Sequence, residues 1–124
     1  MSSRKLLLID DEDDIREVAS LTLETMADFQ VRTAPSGAAG LAMAGQERPD
    51  AILLDLMMPG MDGYTTFALL QESELTRGIP VIFMTARVQP ADRQRLASLG
   101  ARGVIAKPFD PMTLSDQVLA LLAS

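Results

Sequence analysis

The 124-residue sequence contains no cysteine and no histidine. Their absence excludes a Ser-His-Asp triad, a thiol nucleophile and any His/Cys site for zinc or haem. No disulfide framework exists, so nothing points to an oxidising compartment. Positive charge is scarce: 11 Lys and Arg stand against 17 Asp and Glu, a formal net charge of −6. That balance argues against direct nucleic-acid binding, which needs a basic footprint for the phosphates. Long apolar runs are missing too. Runs such as Leu6–Ile9 fall far short of a membrane span, and no charged-then-apolar leader opens the sequence. The expectation is a cytoplasmic protein with no membrane insertion. What is present, 48% hydrophobic and 23% charged residues, is the balance of a folded globular protein, and the length suits one domain over residues 1–124. Its chemistry must rest on carboxylates, hydroxyls and amines.

Short apolar runs alternate with helical periodicity along the chain. KLLLI at 5–9 reads as a buried strand that stops at Asp10-Asp11. From Glu12 to about Ala27, Ile15, Val18, Ala19, Thr22, Leu23 and Met26 recur at helical spacing, behind an acidic first turn that suits the helix dipole. Phe29–Thr33 alternates as a strand, and a helix capped by Ser36 runs to about Gln46. Asp50–Leu54 is the third strand, ending on Asp55, and helical spacing resumes from Gly63 to about Glu72. Ile79–Met84 is the fourth strand, running into Thr85, and a helix over Ala91–Leu99 stops at Gly100. Gly103–Ala106 is a fifth strand before Lys107-Pro108, and Pro111–Leu122 a fifth helix. Five strands alternating with five helices predict an α/β doubly wound parallel sheet with helices on both faces.

In such a sheet ligands bind beyond the carboxyl ends of the strands, where strand order reverses. Those ends carry Asp10 and Asp11, Asp55, Thr85 and Lys107. Singly, each has an ordinary reading: a helix start, a loop cap, a solvated lysine. Together they place three carboxylates, a hydroxyl and an ammonium on one rim. Two like charges about 4 Å apart repel by about 4 kcal/mol at an effective dielectric near 20. Three carboxylates at that range need a cation or raised pKa values. With oxygen ligands alone, a hard divalent cation such as Mg²⁺ fits best. A carboxylate nucleophile, the cation and Lys107 suit phosphoryl transfer through an acyl phosphate.

Four blocks carry a family resemblance: LLLIDDE at 6–12, ILLDLMMPGMDG at 52–63, PVIFMTA at 80–86 and AKPF at 106–109. In order and spacing they resemble the receiver domain of bacterial two-component response regulators, over nearly the whole chain. The resemblance implies a CheY-like sheet of strand order 2-1-3-4-5. It implies that Asp55 accepts the phosphoryl group and that Asp10, Asp11, Asp55 and the backbone carbonyl of Met57 hold Mg²⁺. Thr85 would turn toward the phosphoryl group, with small Ala86 leaving room, and Lys107 would bind its oxygens beside a cis Lys107-Pro108 bond. The implied protein is a phosphorylation-dependent regulator rather than an enzyme acting on an external substrate. Its phosphoryl donor would be a sensor histidine kinase or histidine phosphotransfer protein in trans, because the sequence has no His. Its output would pass to a downstream protein or effector domain through the fourth helix, fifth strand and fifth helix.

Two features depart from the family pattern. Val104 stands where an aromatic residue commonly precedes the lysine by three positions. Coupling is therefore expected to rely on Thr85 and the loop from Arg87 to Pro90. By the resemblance, Met57 and Arg87 stand at the two positions that commonly modulate phosphoryl hydrolysis in this family, and a thioether cannot orient water as an amide can. Met57, Met58 and Met61 read as flexible packing, and Arg87, Arg93, Arg95 and Arg102 as a solvated face or partner contact. The nearest enzyme alternative is a haloacid-dehalogenase-like phosphatase with Asp11 as nucleophile and Asp13 as acid, although Ile15 breaks its signature. Ile15 also stands where an EF-hand loop needs glycine, and no glycine-rich phosphate loop is present. A phosphate-independent pseudo-receiver, acting as a binding module, is the third reading.

Overall fold

A computed structural model describes residues 4–86 and 89–123. Elements follow in strict alternation: β1 (Arg4–Ile9), α1 (Asp13–Met26), β2 (Phe29–Ala34), α2 (Gly37–Glu47), β3 (Ala51–Asp55), α3 (Gly63–Glu72), β4 (Val81–Thr85), α4 (Pro90–Ser98), β5 (Gly103–Ala106) and α5 (Leu114–Ala123). The strands form one parallel sheet in the order β2-β1-β3-β4-β5. Register runs Leu8 opposite Leu53, Leu53 opposite Ile82 and Ile82 opposite Gly103.

The continuous apolar runs make sense because the central strands are covered on both faces. Leu6, Leu8, Leu53, Ile82 and Met84 point to one side, onto Ala19 and Leu23 of α1 and Leu114 and Val118 of α5. Leu7, Ile9, Ile52, Leu54 and Phe83 point to the other, onto Ala44 of α2, Phe67 and Leu70 of α3, and Leu96 of α4. Each such side chain, fully buried, contributes about 1.5–3 kcal/mol.

Local chemistry sets the helix ends. Ser36 Oγ accepts from Ala39 N at 3.2 Å, and Asp62 Oδ1 from Thr65 N at 2.9 Å. Gly100 adopts φ +103°, the left-handed position in which glycine ends a helix at no steric cost. Most boundaries shift by a residue or so from expectation, and three of the shifts have a plain local cause. β3 starts at Ala51, with Asp50 instead exchanging contacts with Lys5: its N–H donates to the Lys5 carbonyl and its carboxylate accepts from Lys5 N. β4 covers Val81–Thr85 rather than 79–84, because Pro80 has no N–H and Ile79 N donates to the Thr76 carbonyl. α5 starts at Leu114 rather than Pro111: Asp110 takes the Met112 N–H on its carboxylate and those of Thr113 and Leu114 on its carbonyl, making a turn of the intervening residues. Among the described residues no helix is long and apolar enough to cross a membrane.

Candidate functional site

The site forms where β1 and β3 lie adjacent and their connections leave in opposite directions, the reversal point expected of such sheets. Asp10 extends β1 and donates its N–H to the Ala34 carbonyl at the end of β2, at 3.1 Å. Its Oδ1 accepts from Glu12 N at 2.9 Å, and Arg16 holds its carbonyl at 2.6 Å. Asp55 ends β3 and accepts the Met57 N–H on Oδ1 at 3.2 Å. The loop after it turns into α3 at Gly63, where a Cβ would meet the Asp55 carbonyl at 2.6 Å. Lys107 follows β5, its N–H donating to the Thr85 carbonyl at 2.9 Å.

These backbone anchors aim three side chains at one point. Lys107 Nζ lies 2.7 Å from Asp10 Oδ2, 3.3 Å from Asp55 Oδ2 and 3.6 Å from Glu12 Oε1. Asp10 and Asp55 are buried, whereas Asp11 and Glu12 are exposed. Burial, then repulsion from Asp10, pushes the Asp55 carboxyl from 3.8 up to about 6, although Lys107 and the Met57 N–H pull it back. Burial works against the Lys107 charge, but its ion pairs with Asp10 and Asp55 outweigh it and hold the ammonium above its ordinary pKa.

One ammonium does not balance this cluster. Carboxylate oxygens of Asp10, Asp11, Glu12 and Asp55 all lie within 4.8 Å of one another. Asp10 Oδ2 is buried, and its close partner among the described residues is the Lys107 ammonium at 2.7 Å, which leaves acceptor capacity on that oxygen. A buried carboxylate oxygen with unused acceptor capacity, beside two exposed acids, fits a hard divalent cation whose remaining positions are filled by water.

The structure thus brings together Asp10, Asp11, Asp55 and Lys107 as the sequence reading expected. Thr85 is 1% exposed at the end of β4, and Ala86 beyond it is exposed. Pro108 follows Lys107 through a cis bond. Val104 sits half-buried in β5 opposite Phe83. Arg87 falls outside the described residues. Met57 offers its N–H to Asp55 while its side chain is 56% exposed, and Met58 packs into the core. Glu12 belongs to the cluster, which reading it only as a first-turn acid missed; a third consecutive acid at a strand end was the available signal. Two of the arginines singled out from the sequence have a partner on the structure. Arg95 stacks on Tyr64 with 4.2 Å to the ring centroid, and Arg102 donates to the Leu122 carbonyl at 3.1 Å. Asp13 pairs with Arg16 within α1, outside the acidic cluster, which removes the second carboxylate that the phosphatase reading requires.

Comparisons with known proteins agree with this geometry. The response regulator receiver domain model matches residues 6–119. The chain is 41% identical over 118 residues to the DNA-binding dual master transcriptional regulator RpaA of Synechocystis, covering 95% of this chain and 48% of that protein. It is 42% identical over 122 residues to the response regulator PleD of Caulobacter vibrioides, covering 98% of this chain and 26% of that protein. It therefore spans about half or less of these relatives. Among solved structures, chemotaxis protein CheY4 of Vibrio cholerae superimposes with a TM-score of 0.89 at 31% identity, covering 96% of this chain and 98% of that one. With its 2-1-3-4-5 sheet and an acidic rim facing a lysine, the chain belongs to the response regulator receiver domain family.

Proposed function

We propose that residues 1–124 act as one receiver unit that takes a phosphoryl group on Asp55 and changes a protein-interaction surface in response. The observation that carries this reading is the buried Asp55 carboxylate, held 3.3 Å from the Lys107 ammonium and within reach of Asp10, Asp11 and Glu12. An Asp55 oxygen attacks phosphorus, the bond from phosphorus to the donor nitrogen breaks, and the donor imidazole leaves with the electron pair. An acyl phosphate results. The raised pKa of Asp55 reflects a poorly solvated carboxylate, whose charge is not dispersed into water and is correspondingly nucleophilic. Lys107 supplies fixed positive charge to the transferring oxygens, and Thr85 a hydroxyl beside them. Asp10, Asp11, Asp55 and the Met57 carbonyl would hold Mg²⁺, which when bound neutralises charge on the phosphoryl oxygens.

The 124 residues contain no His, so the donor histidine lies outside them, on a sensor kinase or phosphotransfer protein. The protein is then a regulator that catalyses its own phosphorylation and slow dephosphorylation, and it works in the cytoplasm. RpaA is DNA-binding by name. An effector of that kind, receiving the signal through α4, β5 and α5, accords with this acidic domain making no nucleic-acid contact itself.

Intact-mass analysis after incubation with acetyl phosphate tests the reading. The expected result is a Mg²⁺-dependent, hydroxylamine-labile phosphoryl adduct on the wild type and none on Asp55→Asn. An adduct of equal yield on Asp55→Asn would overturn it. Phosphate release that survives Asp55→Asn but not Asp11→Asn would favour the phosphatase instead.

A further inference from the structure

Tyr64 is the single tyrosine of the chain, which has no tryptophan. It stands in the first turn of α3, and its half-buried ring lies 6.3 Å from that of Phe83 in β4. Phe83 precedes Thr85 by two residues, so both project from the same face of β4. On its outer side the Tyr64 ring carries the guanidinium of Arg95 from α4, 4.2 Å from the centroid. Ring contacts therefore run from Phe83, two residues before the strand end at the site, through Tyr64 to Arg95 of α4.

The seat of α4 is loose. Of its residues only Leu96 is buried, and grooves flank the helix on both sides. One, of about 290 Å³, is lined by Arg93, Val104 and Leu121; the other, of about 440 Å³, by Phe67, Leu99, Tyr64 and Arg95. A third, of about 200 Å³, shares Tyr64 and Arg95 and reaches Leu56 and Met57, the residues directly after Asp55. These grooves open to solvent rather than onto packed side chains, so α4 has room for a second position. With Val104 in place of a ring, β5 offers no aromatic lever.

Resting on the receiver reading, we propose that the Tyr64–Arg95 contact is the latch through which the state of Asp55 reaches α4. The contact belongs to the arrangement in which Lys107 is paired with Asp10 and Asp55. When Lys107 turns to a phosphoryl group and Thr85 moves, Phe83 and Tyr64 shift and Arg95 is released. By linkage, weakening the latch favours the phosphoryl-bound arrangement.

Beryllium fluoride with Mg²⁺, a reversible phosphoryl mimic, provides the test. Its binding is followed by fluorine NMR, and Tyr64 by intrinsic tyrosine emission, which has no other source in this chain. The wild type is expected to bind with a change in emission that Arg95→Gln lacks. Arg95→Gln is expected to bind the mimic about two- to fivefold more tightly, the equivalent of one exposed cation–π contact. Binding without an emission change, the same change in Arg95→Gln, or an affinity unchanged or weakened there would overturn the latch and leave the receiver reading standing. No binding to the wild type would sink both.

Discussion

Replacing Asp55 by Asn is expected to stabilise the metal-free protein at neutral pH, although it removes a side chain that makes two contacts. Raising a carboxyl pKa from 3.8 in the unfolded chain to about 6 in the fold means that ionising Asp55 costs about 3 kcal/mol more when folded. The amide removes that charge. It can satisfy either the Met57 N–H or the face toward Lys107, not both, at a cost of about 1 kcal/mol. The balance is a gain of about 2 kcal/mol at pH 7. Because the folded pKa lies above the unfolded one, the native state keeps its proton longer as pH rises. The stability this lends the wild type is complete below pH 3.8 and is lost as pH climbs through about 6. Urea unfolding by circular dichroism, in EDTA, measures both proteins across this range. The two curves should cross: Asp55→Asn more stable at pH 7, less stable near the lower end. A stability difference independent of pH, or a variant weaker throughout, would refute the reasoning.

Other perturbations separate the parts of the site. Because Asp11 is exposed, Asp11→Ala should leave metal-free stability within about 0.5 kcal/mol. It should, however, reduce the stabilisation given by saturating Mg²⁺, which reaches about 1.4 kcal/mol at tenfold over Kd and is read as a shift in urea midpoint. Lys107→Met leaves Asp10 and Asp55 buried without their cation and should destabilise by about 3–5 kcal/mol at pH 7 in the same assay. Met57→Asn places an amide at the rim of the site, where Met57 is 56% exposed. An amide can orient an attacking water, so the phosphoryl adduct should decay several-fold faster by intact mass; equal or slower decay would contradict this.

Much of the fold was legible because this sheet is buried on both faces, so runs such as LLLI and VIFM within its strands are unbroken apolar stretches. Their ends were equally plain, since Asp10, Asp55 and Lys107 interrupt such runs. Strand order came from the family resemblance, because periodicity carries no information on which strands are neighbours. The start of α5 was misplaced since Pro111 favours a first helical turn, and only the structure shows the Asp110 carboxylate diverting that N–H pairing. Glu12 was hidden by position: a first-turn acid and a site carboxylate look alike until Lys107 is brought 3.6 Å away. The Tyr64–Arg95 contact had no sequence signal, because it depends on how α3 and α4 lie against the same strand.

The central claim is that Asp55, among four clustered carboxylates, is the one that forms the acyl phosphate. Borohydride reduces an acyl phosphate to the alcohol, converting the modified aspartate to homoserine, which tandem mass spectrometry locates. After acetyl phosphate and Mg²⁺, homoserine at position 55 alone is the predicted result. Homoserine at position 10 or 11, with Asp55 intact, would contradict the account.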